Sequence, residues 1–339
     1  MMSRKEAYGY AAARIRAMEH RLLDAAVFAR LLDAEDTASF LKVLSETSYS
    51  AEVSSISAEH SFDAMLERVL HDTYEEIASF VPDKELVTLL RLPYDFSNAK
   101  VLLKSLFAVK SGGKKRWDLL TSVASYPVDK LIADTESEEY RLLPFGLSSL
   151  YPKCISILEQ NGDMLEVERI LDEQMFKEML NLAASLDIPE VTRWVRLKID
   201  GENLRTMVRL KRFGFDSVRV RPFLHAGGFV GTEVLAPLVS EPMDTWGKAI
   251  DFSDLSAIFD DSESSADFSE VVGAMENKLD DFYYAETAKS KYSQDSPCNI
   301  VMYLLGKEQE IKNIRMIYVS KSGSWDNDKV RGLLRYVGN

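Results

Sequence analysis

Asp95-Phe96-Ser97-Asn98-Ala99-Lys100, Asp200-Gly201-Glu202-Asn203-Leu204-Arg205 and Glu310-Ile311-Lys312-Asn313-Ile314-Arg315 share one pattern: an acid, two residues, Asn, an apolar residue and a base. Asp200 follows Asp95 by 105 residues, and Glu310 follows Asp200 by 110. The surroundings recur too. Upstream of each stretch a Leu is followed two residues later by an acid and four later by a large apolar residue: Leu70-Asp72-Tyr74, Leu171-Glu173-Met175 and Leu279-Asp281-Tyr283. Pro82, Pro189 and Pro297 then lie 13, 11 and 13 residues ahead of the repeated acid. A period this long exceeds the roughly 20 to 50 residues of a solenoid repeat. Each copy is long enough for a small helical domain.

At 339 residues the chain has room for two or three domains, and the repeat favours three: 1–115, 116–225 and 226–339. Hydrophobic residues make up 46% and Gly and Pro are sparse, which tilts the class towards helix. A net charge of −13 argues against sequence-independent nucleic-acid binding, which needs Lys and Arg on phosphates. Asp260-Asp261-Ser262-Glu263 reads as a solvated loop. Two cysteines, Cys154 and Cys298, make no disulfide framework and fit a reducing compartment. The basic N-terminus leads into no apolar run, so no signal peptide is expected, and no apolar run is long enough to span a bilayer.

Apolar residues at helical spacing (Ala11, Ile15, Met18, Leu22; Leu171, Met175, Met179, Leu182) predict one-sided helices packed in each lobe. Proline is tolerated in a helix's first turn, so the three prolines mark the start of a second helix in each copy. The repeated acid and Asn then fall inside that helix; the alternative sets Asp95 and Asp200 at N-caps. Pro93 is expected to kink or interrupt the first of these helices. Gly112, Gly214 and Gly323 mark glycine-bearing exits. Residues 241–270 read as the longest irregular stretch.

Little in the chain looks catalytic. His20, His60, His71 and His225 lack partners at metal-ligand spacing, and no metal or cofactor is expected. Ala226-Gly227-Gly228-Phe229-Val230-Gly231 is glycine-rich but lacks the Gly-Lys-Ser/Thr ending of a phosphate loop. An acid and an Asn three residues apart share one edge of a helix. The pair could serve acid/base chemistry, but three copies in one chain favour a hydrogen-bonded latch that fixes how the helix meets its neighbours. Arg205, Arg209, Lys211 and Arg212 form a basic island in an acidic chain. It reads either as a docking patch for an acidic partner or as a solvated face paired with local acids.

Tyr8-Gly9-Tyr10-Ala11-Ala12-Ala13-Arg14-Ile15-Arg16-Ala17-Met18-Glu19, followed by Leu22-Leu23 and residues 41–49, resembles the amino-terminal pattern of the C subunits of V/A-type ATPases, relatives of the d subunits of eukaryotic V-ATPases. Tyr94-Asp95 with Asn98, Ile199-Asp200 with Asn203-Leu204-Arg205, and Glu310 with Asn313-Ile314-Arg315 resemble that family's internal motifs. The third copy departs by Glu310 in place of Asp, and the second by Gly201 after its acid. The resemblance implies an all-α chain of three similar lobes in a pseudo-threefold, funnel-like arrangement. It further implies a non-catalytic protein on the cytoplasmic face of the membrane, with the central-stalk subunits and the membrane rotor ring of a rotary ATPase as partners. The rival reading is a stand-alone helical scaffold or adaptor, with a helical hydrolase behind it.

Overall fold

The computed structural model describes residues 4–56, 61–110, 112–259, 268–289, 296–323 and 325–335. It is all-helical, with no strand among the described residues. Each copy of the repeat supplies two long helices in succession. A lead helix (Phe62–Phe80, Met164–Leu186, Phe268–Ala288) carries the Leu-acid-apolar pattern, and a motif helix (Lys84–Lys110, Pro189–Arg212, Cys298–Gly323) carries the acid and the Asn.

Local chemistry sets the bounds. Ser61 and Asp163 cap the first two lead helices by accepting from the backbone N–H groups of Ala64 and Glu166. Pro189 opens the second motif helix, Pro297 immediately precedes the third, and Pro82 lies two residues before the first. Gly112 and Gly214, at φ of +80° and +71°, turn the chain just beyond the first two motif helices, and Gly323 ends the third. Pro93 does not interrupt its helix, which continues from Lys84 to Lys110.

The described chain divides into two compact units. The first comprises Met1–Lys84 and Tyr284–Asn339 and holds the first lead helix and the third motif helix. The two run antiparallel: Arg315 pairs with Asp63 at 2.8 Å, and the Tyr74 hydroxyl donates to Glu308 Oε1 at 2.7 Å. The amino-terminal helix Arg4–Glu19 buries Ala11, Ile15 and Met18. It also holds the chain just beyond the first lead helix, where Tyr8 Oη and Arg4 Nε donate to Asp83 Oδ2.

The second unit, Glu85–Tyr283, holds the first two motif helices and most of the second and third lead helices. Its core gathers Leu204, Met207 and Val208 of the second motif helix against Leu235, Trp246, Phe259 and Leu279. The stretch expected to be irregular is therefore partly structural. Within 241–270, three short helices (Met243–Thr245, Trp246–Ala249, Asp254–Phe259) deliver a fully buried Trp246 to that core. The acidic run at 260–263 lies outside the described residues.

Candidate functional site

All three repeated motifs lie well inside their helices, with acid and Asn buried. A helix has no use for those side chains in its own ladder, so they are free to bind other main chain. Asn98 Nδ2 donates to the Thr121 carbonyl while the Thr121 N–H donates to Asn98 Oδ1, both at 2.8 Å. Asn203 does the same with His225, at 2.8 and 2.7 Å. Asn313 does so with Arg335, at 2.6 and 3.3 Å. Each amide satisfies both backbone groups of one residue 22 or 23 positions downstream, as a neighbouring strand would.

The acids complete the clamp in two copies. Asp95 accepts from the N–H groups of Ser125 and Tyr126, and Asp200 from those of Phe229 and Val230. Successive N–H groups aimed at one carboxylate form an anion-binding nest. The glycine-rich loop thus cradles an internal anion, the Asp200 carboxylate. A Cβ on Gly228 would stand 1.9 Å from Asp200 Oδ1, so only glycine lets the loop close this far. In both copies the latch holds the main chain of a downstream loop and not a facing helix.

Glu310 behaves differently. One oxygen accepts from the Leu23 N–H; the other accepts from Tyr49 Oη at 2.7 Å and Lys307 Nζ at 2.6 Å. Lys307 also reaches Tyr49 Oη at 3.0 Å and stands 4.5 Å from the centre of its ring. The longer side chain suits this different target, which accounts for Glu in place of Asp. The Gly201 departure has its own cause: a Cβ there would meet Tyr283 Oη at 1.5 Å, and that hydroxyl donates to the Leu197 carbonyl at 3.1 Å. Gly201→Ala should therefore push Tyr283 off the second motif helix and destabilise the second unit by about 1–3 kcal/mol. Loss of tyrosine burial, read by fluorescence or hydrogen exchange, checks it; an unchanged Tyr283 environment would refute the close approach.

The bases of the motif point between helices. Lys100 pairs with Asp172, Arg205 with Asp280 and Arg315 with Asp63, each acid belonging to a lead helix. The remaining members of the basic island are also engaged. Arg209 pairs with Glu276 at 2.8 Å, and Lys211 Nζ donates to the carbonyls of Val239 and Glu241. Arg212 is exposed at the helix end.

Two residues carry no signal in the repeated hexapeptide itself, Arg91 and Arg196, each four positions before a clamp acid. Arg196 donates to the carbonyls of Gly227 and Gly228 and stacks 4.1 Å from the Phe229 ring centre, holding the loop from its other side. The shared Arg-x-x-x-Asp spacing could have found them, although copy three lacks it because Gly306 stands in that place.

Burial dominates the electrostatics of the clamps. It raises both Asp95 and Asp200 to about 6, against the pull of the two N–H donors and of Arg91 or Arg196. With the folded value above the unfolded 3.8, their contribution to stability is complete below about pH 4 and is lost as pH rises through about 6. Carbon-detected NMR of labelled aspartates should show these two titrating near pH 6; values below 4 would show that the nest outweighs burial. His225 is packed against Phe176, and burial lowers its pKa. The described residues hold no cluster of His, Cys, Asp and Glu able to bind a metal ion. No helix among them is long and apolar enough to cross a membrane.

A repeated clamp that fixes loops to helices builds a scaffold, and comparison with known proteins gives that scaffold a family. The family model described as ATP synthase (C/AC39) subunit matches residues 11–333. The C subunit of the A-type ATP synthase of Methanosarcina acetivorans is 25% identical, covering 96% of this chain and 92% of its own. That of Haloferax volcanii is 24% identical over 96% of both chains, and that of Desulfurococcus is 26% identical, covering 91% of this chain and 85% of its own. The match takes in all three motifs, and the chain belongs to the ATP synthase (C/AC39) subunit family.

Proposed function

We propose that the chain is a non-catalytic coupling subunit of a rotary ATPase, joining the central stalk to the membrane rotor ring for ATP-linked transport of protons or sodium ions. One observation carries the reading. Each motif's base reaches the lead helix of the next copy: Lys100 of copy one on Asp172 of copy two, Arg205 of copy two on Asp280 of copy three, and Arg315 of copy three on Asp63 of copy one. This cyclic order supports three like copies in pseudo-threefold order, which we read as lobes at 1–115, 116–225 and 226–339.

Such a body suits a rotor joint. Three like footholds share torque that a single patch would have to bear alone. Clamped loops and interlocked helices resist twist as close-packed interiors do. The names of its relatives, each part of an A-type ATP synthase, support the same role. The chain works at the cytoplasmic face as a peripheral member of the complex, and its partners supply the nucleotide sites and the membrane span.

Depleting the chain from cells tests the proposal. ATP-driven ion pumping by isolated membranes should be lost, while the released catalytic head still hydrolyses ATP. An ATPase that stays assembled and coupled without the chain would overturn it.

A further inference from the structure

Cations continue from the basic island past the end of the second motif helix. Residues 211–221 carry four cations and one acid, in a chain of net charge −13. The one acid, Asp216, is occupied in accepting from the N–H groups of Val218 and Arg219. Phe213 and Val218 on this turn are the two most exposed large hydrophobic residues described, at 72% and 77%. Arg212, Arg219 and Arg221 flank them, all exposed, with Arg219 stacked 4.1 Å from the Phe215 ring centre.

The exit of the first motif helix repeats this composition. Residues 110–119 again carry four cations and one acid. Trp117 and Leu119 are exposed there beside Lys114. Three of the four cations have acidic neighbours, in the pairs Lys110–Glu159, Lys115–Glu136 and Arg116–Asp118, so this exit is the weaker of the two in charge.

Both exits lie at the same end of the second unit. Lys104 pairs with Glu168, and Gly162 packs on the Phe107 ring, so the last turns of the first motif helix lie beside the first turns of the second lead helix. The second motif helix returns antiparallel along that lead helix after a turn of two residues, Asp187 and Ile188, and so ends where the lead helix began.

We propose that this end of the unit is an anchor for an anionic lipid surface. Phe213 and Val218 enter the headgroup region, Arg212, Arg219 and Arg221 bind lipid phosphates, and Trp117 and Leu119 enter alongside. Exposed apolar side chains at a helix end and in short helices, flanked in sequence by cations, match an interfacial contact. A protein interface would show a broad apolar core depleted of charge. The inference rests on the coupling reading only in placing the chain beside a membrane.

Flotation of the full-length purified chain with phosphatidylcholine vesicles, with and without phosphatidylglycerol, tests the anchor. The chain should float only with the anionic vesicles and be released by high salt. Arg219→Glu with Arg221→Glu should weaken partition by about thirtyfold or more, from about 1 kcal/mol per cation lost. Phe213→Ser with Val218→Ser should weaken it about tenfold, and this pair, being exposed, should leave the melting temperature unchanged. Absence of flotation, or variants that float like the parent, would overturn the proposal. So would flotation only with vesicles that carry the purified rotor ring, which would make this end a protein-docking surface. No ATPase is present in the lipid-only arms, so their failure leaves the coupling reading standing.

Discussion

Lys307→Met should destabilise the first unit by about 3–5 kcal/mol, the cost of stranding a buried carboxylate without its cation. Side chains of Lys307 and Glu310 are only 7% and 4% exposed, so water cannot take the ammonium's place. Met preserves the length and packing of the lysine stem and removes only the charge and its donors. Tyr49 Oη and the Leu23 N–H would remain on Glu310, but two neutral donors do not offset a full charge in an apolar surround. Adding Glu310→Gln to Lys307→Met should recover a large part of the loss, because the amide no longer needs a counter-ion. Denaturant unfolding followed by the buried Tyr49 reads both variants. A single mutant within 1 kcal/mol of the parent, or a double mutant worse than the single, would show that this pair is not the keystone of the unit.

The helical class was legible because its signals are local. The three prolines, the glycine exits and the apolar stripes mark where helices begin and end, and the lead and motif helices form between them. Pro93 does not break its helix because a proline's lost N–H is local information, whereas the burial of Leu89, Leu90, Leu92 and Phe96 on either side, which holds the helix together, is not. The acid and the Asn were legible as a pair, but not their target. A side chain that bonds main chain leaves no complementary residue type to find, and Thr121, His225 and Arg335 share nothing but their distance from the Asn. The purpose of the glycine-rich loop was hidden for a related reason. It has the composition of a backbone that approaches an anion closely, and the anion is Asp200 of the same chain. Glu310 and Gly201 stand out in the sequence only as departures from the pattern. Both prove to be answers to neighbours distant in sequence, Leu23 and Tyr49 in one case and Tyr283 in the other.

Asn203→Ala should be the most damaging of the three clamp substitutions, costing about 2–4 kcal/mol. The loss is two hydrogen bonds and, with them, the only described partners of the His225 N–H and carbonyl. His225 is buried at 7% exposure, so both groups would be left without water at about 1–2 kcal/mol each. Thr121 and Arg335 are more accessible, and the second Asn313 bond is long at 3.3 Å. Water can therefore repair those clamps in part, and the expected order of damage is Asn203→Ala, then Asn98→Ala, then Asn313→Ala. Hydrogen exchange resolves the effect better than a melt because it reads each loop separately. In Asn203→Ala the amides of His225, Phe229 and Val230 should lose protection together, since Asp200 and Arg196 grip the loop only from Gly227 onward and leave its first residue free. If the Phe229 and Val230 amides keep their protection, the acid and the Asn act independently, and the motif is two separate bonds whose shared spacing has some other cause.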